Sequence, residues 1–249
     1  MRALITGASN GLGLEFAKYL DKLGYDLILV ARNENKLKEI KESLDCEVEV
    51  IPMDLSIEEN LYKLYDMTKG KVDLLINNAG FGVFGGFTET DLDEELNLID
   101  LNIKAYHILT KLFLTDMVNR DSGRILNVAS SAAFQPGPLL STYYASKSYV
   151  YSLSAAIYEE LRRKKSHVKI SVLCPGPVDT GFNDRANVKF AIKGLNSNDV
   201  VKYTINQMYK NKLIIIPSFK MKLGVFANRL LPRKTILKIT YNIQKAKKR

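Results

Sequence analysis

The chain has 249 residues, 46% hydrophobic and 25% charged, a balance that fits one large globular unit and excludes a disordered chain. Its formal net charge of +9 is local: ten Lys and Arg and no Asp or Glu fall between positions 218 and 249, leaving 26 basic against 27 acidic residues elsewhere. That distribution speaks against a uniformly basic nucleic-acid binder, and two distant cysteines, Cys46 and Cys174, speak against a disulfide framework or a zinc site.

In chain order, Arg2 to Ile5 reads as a short strand ended by Thr6-Gly7, and Gly11 to Leu23 has helical spacing. Leu27 to Val30 is a buried-type strand, and Asn33 fits the N-cap of a helix reaching about Leu44. Val48 to Ile51 is a strand, followed by a helix to Thr68 that Ser56 is expected to cap. Asp73 to Ile76 is a strand, and a long helix, in one or two pieces, runs from Asp91 to Asn119. Arg124 to Val128, Val168 to Leu173 and Leu213 to Ile216 are strands; Ser141 to Lys164 and Ser197 to Tyr209 are helices. This alternation predicts an α/β fold, a doubly wound parallel sheet with helices on both faces. Neither a signal peptide nor a membrane-spanning run is expected, so a cytoplasmic setting is the default. The organisation read here is a Rossmann-type domain over 1–217 and a basic extension over 218–249.

On such sheets ligands bind beyond the C-terminal strand ends, where the unusual stretches fall. Thr6 to Gly13, TGASNGLG, has glycines at 7, 11 and 13 between a strand and a helix. Glycines there let backbone approach a pyrophosphate at the helix N-terminus, although an ordinary glycine turn has the same composition. Arg32 ends the second strand with no acid beside it, which favours the 2′-phosphate of NADP(H) over the ribose hydroxyls of NAD. In STYYASK, Tyr143 lies four residues and Tyr144 three residues before Lys147, and both spacings put a phenol beside the ammonium on a helix. A nearby ammonium favours a phenolate, so either pair suits proton transfer. Two core tyrosines and a surface lysine is the plainer reading. His107, alone on the long helix, and Cys174 are read as structural.

TGASNGLG, NNAG (Asn77 to Gly80), Asn102 in LNIKA, Ser130 in NVASS, YYASK and CPGPVDT stand in an order and spacing that resembles the short-chain dehydrogenase/reductases over about residues 1 to 220. The Tyr-x-x-x-Lys pattern of that family selects Tyr143, and its serine, thirteen residues earlier, is Ser130. The resemblance implies an NADP(H)-dependent enzyme acting on a carbonyl or secondary alcohol, with Tyr143 as proton donor and acceptor and Ser130 on the substrate oxygen. It implies that Lys147 lowers the Tyr143 pKa and holds the nicotinamide ribose, and that Asn102 supports a proton-relaying water. For the cofactor it implies Gly7, Ser9, Asn10, Gly11, Leu12 and Gly13 in the first turn, then Arg32, Asp54 and Leu55. Asn78, Ala79 and Gly80 follow, with Tyr143, Lys147, Pro175, Gly176, Val178 and Thr180. Asn10 departs from the pattern, since many NADP-using relatives carry a basic residue there, which leaves Arg32 with more of the phosphate. Dimers or tetramers are the family's usual assemblies.

Apolar residues crowd the segments near the substrate: Phe81, Val83 and Phe84, then Phe134, Pro136, Pro138, Leu139 and Leu140, and Phe182. They favour a hydrophobic 3-oxoacyl or steroid-like carbonyl compound. In the tail, Ile236, Ile239, Thr240 and Ile243 fit one helical face with Lys234, Lys238, Lys245 and Lys248 largely elsewhere, and Pro232 divides the segment into two helices. A helix docked on the active site or on a partner subunit is the first reading; a peripheral contact with an anionic membrane is the second. The rival functions are an NADP(H)-binding sensor and a membrane-surface scaffold, each without turnover.

Overall fold

The computed structural model describes residues 1–179 and 194–246. The strands are β1 (Arg2–Thr6), β2 (Asp26–Ala31), β3 (Val48–Pro52), β4 (Leu74–Asn77), β5 (Arg124–Val128), β6 (Lys169–Leu173) and β7 (Ile214–Ile215). They form a parallel sheet in the order β3-β2-β1-β4-β5-β6-β7, so the order in which strands are laid down reverses between β1 and β4. Helices cover both faces, which is why the strands read as continuous apolar runs rather than alternating ones. The period of two is visible in the packing. Ala3 and Ile5 of β1 face α1 (Gly11–Asp21), α2 (Glu34–Glu42) and α7 (Ser197–Tyr209); Leu4 between them faces α3 (Glu58–Thr68), α5 (Ala105–Asn119) and α6 (Ser141–Arg163). The expected doubly wound α/β fold is the one observed.

One local feature differs from the expectation, and two add to it. Ser56 does not cap α3: its N–H and hydroxyl both donate to Asp54 Oδ1, at 3.0 and 2.8 Å, and the helix starts later, at Glu58. The turn closed on Asp54 holds Ser56 one residue ahead of the N-cap, where Ile57 stands instead. The long helix is α4 (Leu92–Ile99) and α5 joined by a π-helical turn, Asp100–Lys104, with Asn102 inside it. Such turns recur at functional sites because they rotate a side chain away from regular helical register. A 3₁₀ turn, Ser131–Phe134, follows β5, capped by the Ser130 hydroxyl accepting from Ala132 N at 3.1 Å.

Beyond β7 come α8 (Phe219–Ala227) and α9 (Arg233–Lys245), with Pro232 at the N-cap of α9, where its fixed φ and missing N–H are tolerated. Met221 and Val225 of α8 pack on Ile216 and Cys174. Helix α9 turns Ile236, Thr240 and Gln244 inward and leaves Ile239 and Ile243 half exposed, a rotation from the expected Ile236-Ile239-Thr240-Ile243 face. The reason is a polar contact: buried Gln244 donates from Nε2 to the Tyr144 hydroxyl at 2.5 Å. Lys248 lies outside the described residues.

Candidate active site

The loops that leave β1 and β4 meet at the point where strand order reverses. Thr6 is the clasp. Its hydroxyl accepts from the N–H groups of Asn78 (2.9 Å) and Ala79 (3.0 Å) and donates to Ile76 O at 3.4 Å. Asn78 returns the contact, its amide donating to Thr6 O and Gly7 O at 3.0 and 3.2 Å. Gly7 has φ +66°, and a Cβ there would sit 2.8 Å from Ala79 Cα. A Cβ on Gly13 would lie 2.2 Å from Gly7 O and 2.8 Å from Asn78 Nδ2. Gly13→Ala is therefore expected to destabilise the protein by roughly 1–3 kcal/mol through overpacking against backbone, read as a lower urea midpoint. An unchanged midpoint would mean that the helix can step back from the strand.

This tight turn suits an anion. Asn10, at the N-cap of α1, makes no side-chain cap, so the first N–H groups of the helix face the turn formed by Ser9 to Leu12. Leu12 itself leans on the core, and only its backbone can serve a ligand. At the end of β2 the Arg32 side chain is exposed, with Nη1 3.8 Å from Asp54 Oδ2, a loose surface pair. Leu55 is buried among core residues, so it too could offer only main-chain atoms. After β6, Pro175 O accepts from Ser131 N at 2.8 Å, Gly176 lies under Met221 of α8, and Val178 is packed into the core. Thr180 and Phe182 lie outside the described residues. These groups fit an extended dinucleotide: a phosphate-binding turn, a cation at the second strand end, and the loops after β4, β5 and β6 at the same edge of the sheet.

Beyond the C-terminal end of β5, Tyr143, Lys147 and Ser130 converge. Lys147 is buried on α6, its Nζ donating to Val128 O at 3.0 Å and standing 5.8 Å from the Tyr143 ring centre and 5.2 Å from that of Tyr106. The Ser130 hydroxyl hydrogen-bonds the Tyr143 phenol. Tyr144 points away: its hydroxyl meets Gln244, and its ring fills the space a Cβ on Gly137 would need. Helical spacing left the two tyrosines equivalent; their surroundings do not.

Burial sets the charges. It pushes the Tyr143 phenol up to about 12, with the Ser130 hydrogen bond acting against it. It lowers the buried Lys147 ammonium to about 8. The expected lowering of Tyr143 by Lys147 is thus not what this arrangement produces, because burial disfavours the charged form of each group. The phenol is protonated at neutral pH, poised as a donor. Cys174, likewise buried, is pushed up to about 12 and is no thiolate near neutrality.

Asn102 is fully buried and committed. Its Oδ1 accepts from Phe81 N (3.1 Å), while Nδ2 donates to Phe81 O (2.9 Å) and Ser146 Oγ (3.1 Å). Ser146 in turn donates to Tyr143 O at 2.7 Å. Both amide protons are spent on the protein, so this side chain ties the segment after NNAG to the catalytic helix rather than presenting a free donor to water. Beneath the site, Asn77 donates to Asn127 and Thr110, and Asn127 to Ser154, a buried polar chain locking β4, β5, α5 and α6. Sequence reasoning missed Thr6, Ser146 and this chain. Only their position at strand ends and on the inner helix faces hinted at them. His107, at the surface, meets the Tyr149 hydroxyl at 2.6 Å.

Around Tyr143 the walls are apolar: Phe81, Val83 and Leu98 on one side, Leu140, Ala132 and Phe84 on the other. Phe134 instead stacks edge-on with Tyr151 at 5.0 Å.

Residues 1–189 match the family model described as short chain dehydrogenase. An uncharacterized oxidoreductase of Staphylococcus epidermidis is 30% identical over 213 residues, 82% of this chain and 90% of that one. A short-chain dehydrogenase from Sphingobium yanoikuyae, solved with NADPH, superposes with a TM-score of 0.83 at 25% identity over 94% of each chain. A short-chain dehydrogenase/reductase from Burkholderia phymatum, solved with NAD, gives 0.82 at 27% identity over 90% of this chain and 91% of that one. The matched sequence and the shared sheet agree: this chain belongs to the short-chain dehydrogenase family of oxidoreductases.

Proposed function

We propose that the protein is an NADP(H)-dependent reductase of a hydrophobic ketone, with Ser130, Tyr143 and Lys147 as its working set and Asn102 as the tether that positions the catalytic helix. The observation that carries this reading is the buried Tyr143 phenol, bonded to Ser130 beside Lys147 and walled by Phe81, Val83 and Leu140. The nicotinamide, when bound, supplies or accepts the hydride. The chain supplies the rest. Tyr143 gives its proton to the carbonyl oxygen as charge builds there, and the Ser130 hydroxyl donates a hydrogen bond to the same oxygen. The Lys147 ammonium, close behind, stabilises the phenolate left on Tyr143. In the oxidative direction the same phenolate must accept the alcohol proton, which a phenol held near 12 does poorly at neutral pH. An apolar wall without a cationic cluster among the described residues favours a 3-oxoacyl or steroid-like ketone over a sugar phosphate. So complete a proton-transfer set argues against the sensor and scaffold readings. Leu92, Leu96 and Ile99, exposed on α4, support self-association as a dimer or tetramer.

Arg32 supports the choice of NADP(H), since an exposed guanidinium at the β2 end matches a 2′-phosphate. Titrating NADPH and NADH by fluorescence should show a preference for NADPH that Arg32→Ala removes, with NADPH weakened by roughly 10- to 100-fold and NADH unaffected. Equal binding of the two by wild type would refute the phosphate-reading role. A panel of hydrophobic ketones, followed at the NADPH absorbance, tests turnover itself; consumption of none of them would count against the reductase reading.

A further inference from the structure

Helix α8 has two unlike sides. Met221 and Val225 dock it on the core beside the loop after β6. On the opposite side Phe219, Leu223, Phe226 and, just past the helix end, Leu230 follow at spacings of four, three and four, which superimposes them on one narrow stripe. All four face outward, exposed by 80, 60, 58 and 72%. Single exposed apolar residues need no explanation, but three large ones aligned on a nine-residue helix, with a fourth in the turn that follows it, do. Lys220 and Lys222 flank the stripe on either side, and Arg229, Arg233, Lys234 and Lys238 continue beyond it, all exposed. From 218 to 249 no Asp or Glu interrupts them.

We propose that α8 and the start of α9 form a docking surface for an anionic phospholipid membrane, with the Phe219-Leu223-Phe226-Leu230 stripe inserted among the acyl chains and the basic residues on the headgroups. The shape favours lipid over a protein groove: the stripe is a protruding ridge, which a fluid apolar phase accepts without a matching cavity. The charge favours an anionic surface, because the whole segment is one sign while the rest of the chain is near neutral. A second copy is a poor occupant, since facing two such ridges brings like charges together. No helix among the described residues is long and apolar enough to cross a membrane, so the contact is peripheral. The same helix rests on Gly176, and Asn228 at its end hydrogen-bonds Gln135, so docking holds the catalytic end of the sheet at the lipid. The docking does not depend on the proposed reaction, and its test reads no turnover.

The test is co-sedimentation of the full chain with phosphatidylcholine vesicles made with and without phosphatidylglycerol. Wild type should pellet with the phosphatidylglycerol vesicles and much less with phosphatidylcholine alone, and raised salt should weaken but not abolish binding. The triple variant Phe219→Ser/Leu223→Ser/Phe226→Ser removes only exposed side chains, and circular dichroism checks that it folds. It should bind at least ~10-fold more weakly. Lys220→Gln/Lys222→Gln should lose roughly fivefold per charge. Failure of wild type to pellet with anionic vesicles, or unchanged binding by the triple variant, would overturn the proposal. So would a wild-type dimer in sedimentation equilibrium that the triple variant loses while vesicles capture neither protein.

Discussion

Tyr143→Phe is expected to lower kcat for ketone reduction by roughly 10²- to 10⁴-fold, the usual worth of a positioned general acid, while NADPH affinity stays at the wild-type level. The substitution removes one hydroxyl and keeps the ring that packs against Phe81 and Leu140. It removes the hydroxyl that Ser130 bonds and that stands beside Lys147. Tyr144→Phe removes the same atom one residue along and should leave kcat near wild type, because that hydroxyl faces α9. Its effect is expected on stability. Gln244 Oε1 has no hydrogen-bond partner among the described residues, and losing Tyr144 would strip the amide of its remaining contact. An unsatisfied buried amide costs about 1–3 kcal/mol, visible as a lower thermal midpoint. Steady-state kinetics and thermal unfolding on the two variants separate the roles. An inactive Tyr144→Phe beside an active Tyr143→Phe would reverse the assignment.

That pair also shows where sequence reasoning stopped. Periodicity and strand-end glycines were enough to lay out a doubly wound sheet, because a strand buried on both faces writes itself as an uninterrupted apolar run such as Leu27 to Val30. Spacing on a helix could not choose between Tyr143 and Tyr144, since both neighbour Lys147; the choice rests on Ser130 and Gln244, thirteen residues back and a hundred residues on. The inward face of α9 was misjudged for the same reason. A polar Gln244 reads as a surface residue until its partner, far away in sequence, is in place. The π-helical turn at Asn102 had no local signal either, because Asp100 to Lys104 has ordinary helix-forming composition. Ser56 went to its neighbour Asp54 rather than to the helix, a competition between two good local acceptors and donors that composition does not rank. The direction of the Tyr143 shift was missed because the sequence shows a lysine nearby but not how dry the site is.

That dryness gives the second large effect. Lys147→Met is expected to abolish turnover and, at the same time, to stabilise the protein at neutral pH. The ordinary lysine value is 10.5, and burial brings Lys147 down to about 8. At pH 7 the folded protein therefore holds a buried ammonium at a penalty of up to about 3 kcal/mol. Losing the Nζ bond to Val128 O offsets about 1 kcal/mol of the gain. The sign follows from proton counts. Below pH 8 lysine is charged in both states and the penalty is full. Between 8 and 10.5 the unfolded chain holds the proton and the folded one does not, so wild-type stability rises with pH and the advantage of methionine shrinks. Urea unfolding at pH 7 and at pH 10 reads this directly: a gain for Lys147→Met of about 2 kcal/mol at pH 7 should have largely vanished at pH 10. A variant less stable than wild type at pH 7 would show that the ammonium is a net stabiliser, held by groups stronger than Val128 O. The same titration should appear in wild-type kinetics as a fall in kcat/KM for reduction above a pH near 8, as Lys147 loses the charge that stabilises the Tyr143 phenolate. A flat profile through pH 9 would detach Lys147 from the proton transfer, whatever the stability data say. A residue whose removal strengthens the fold and ends the reaction is kept for its chemistry, and the two readouts together distinguish that from a merely structural lysine.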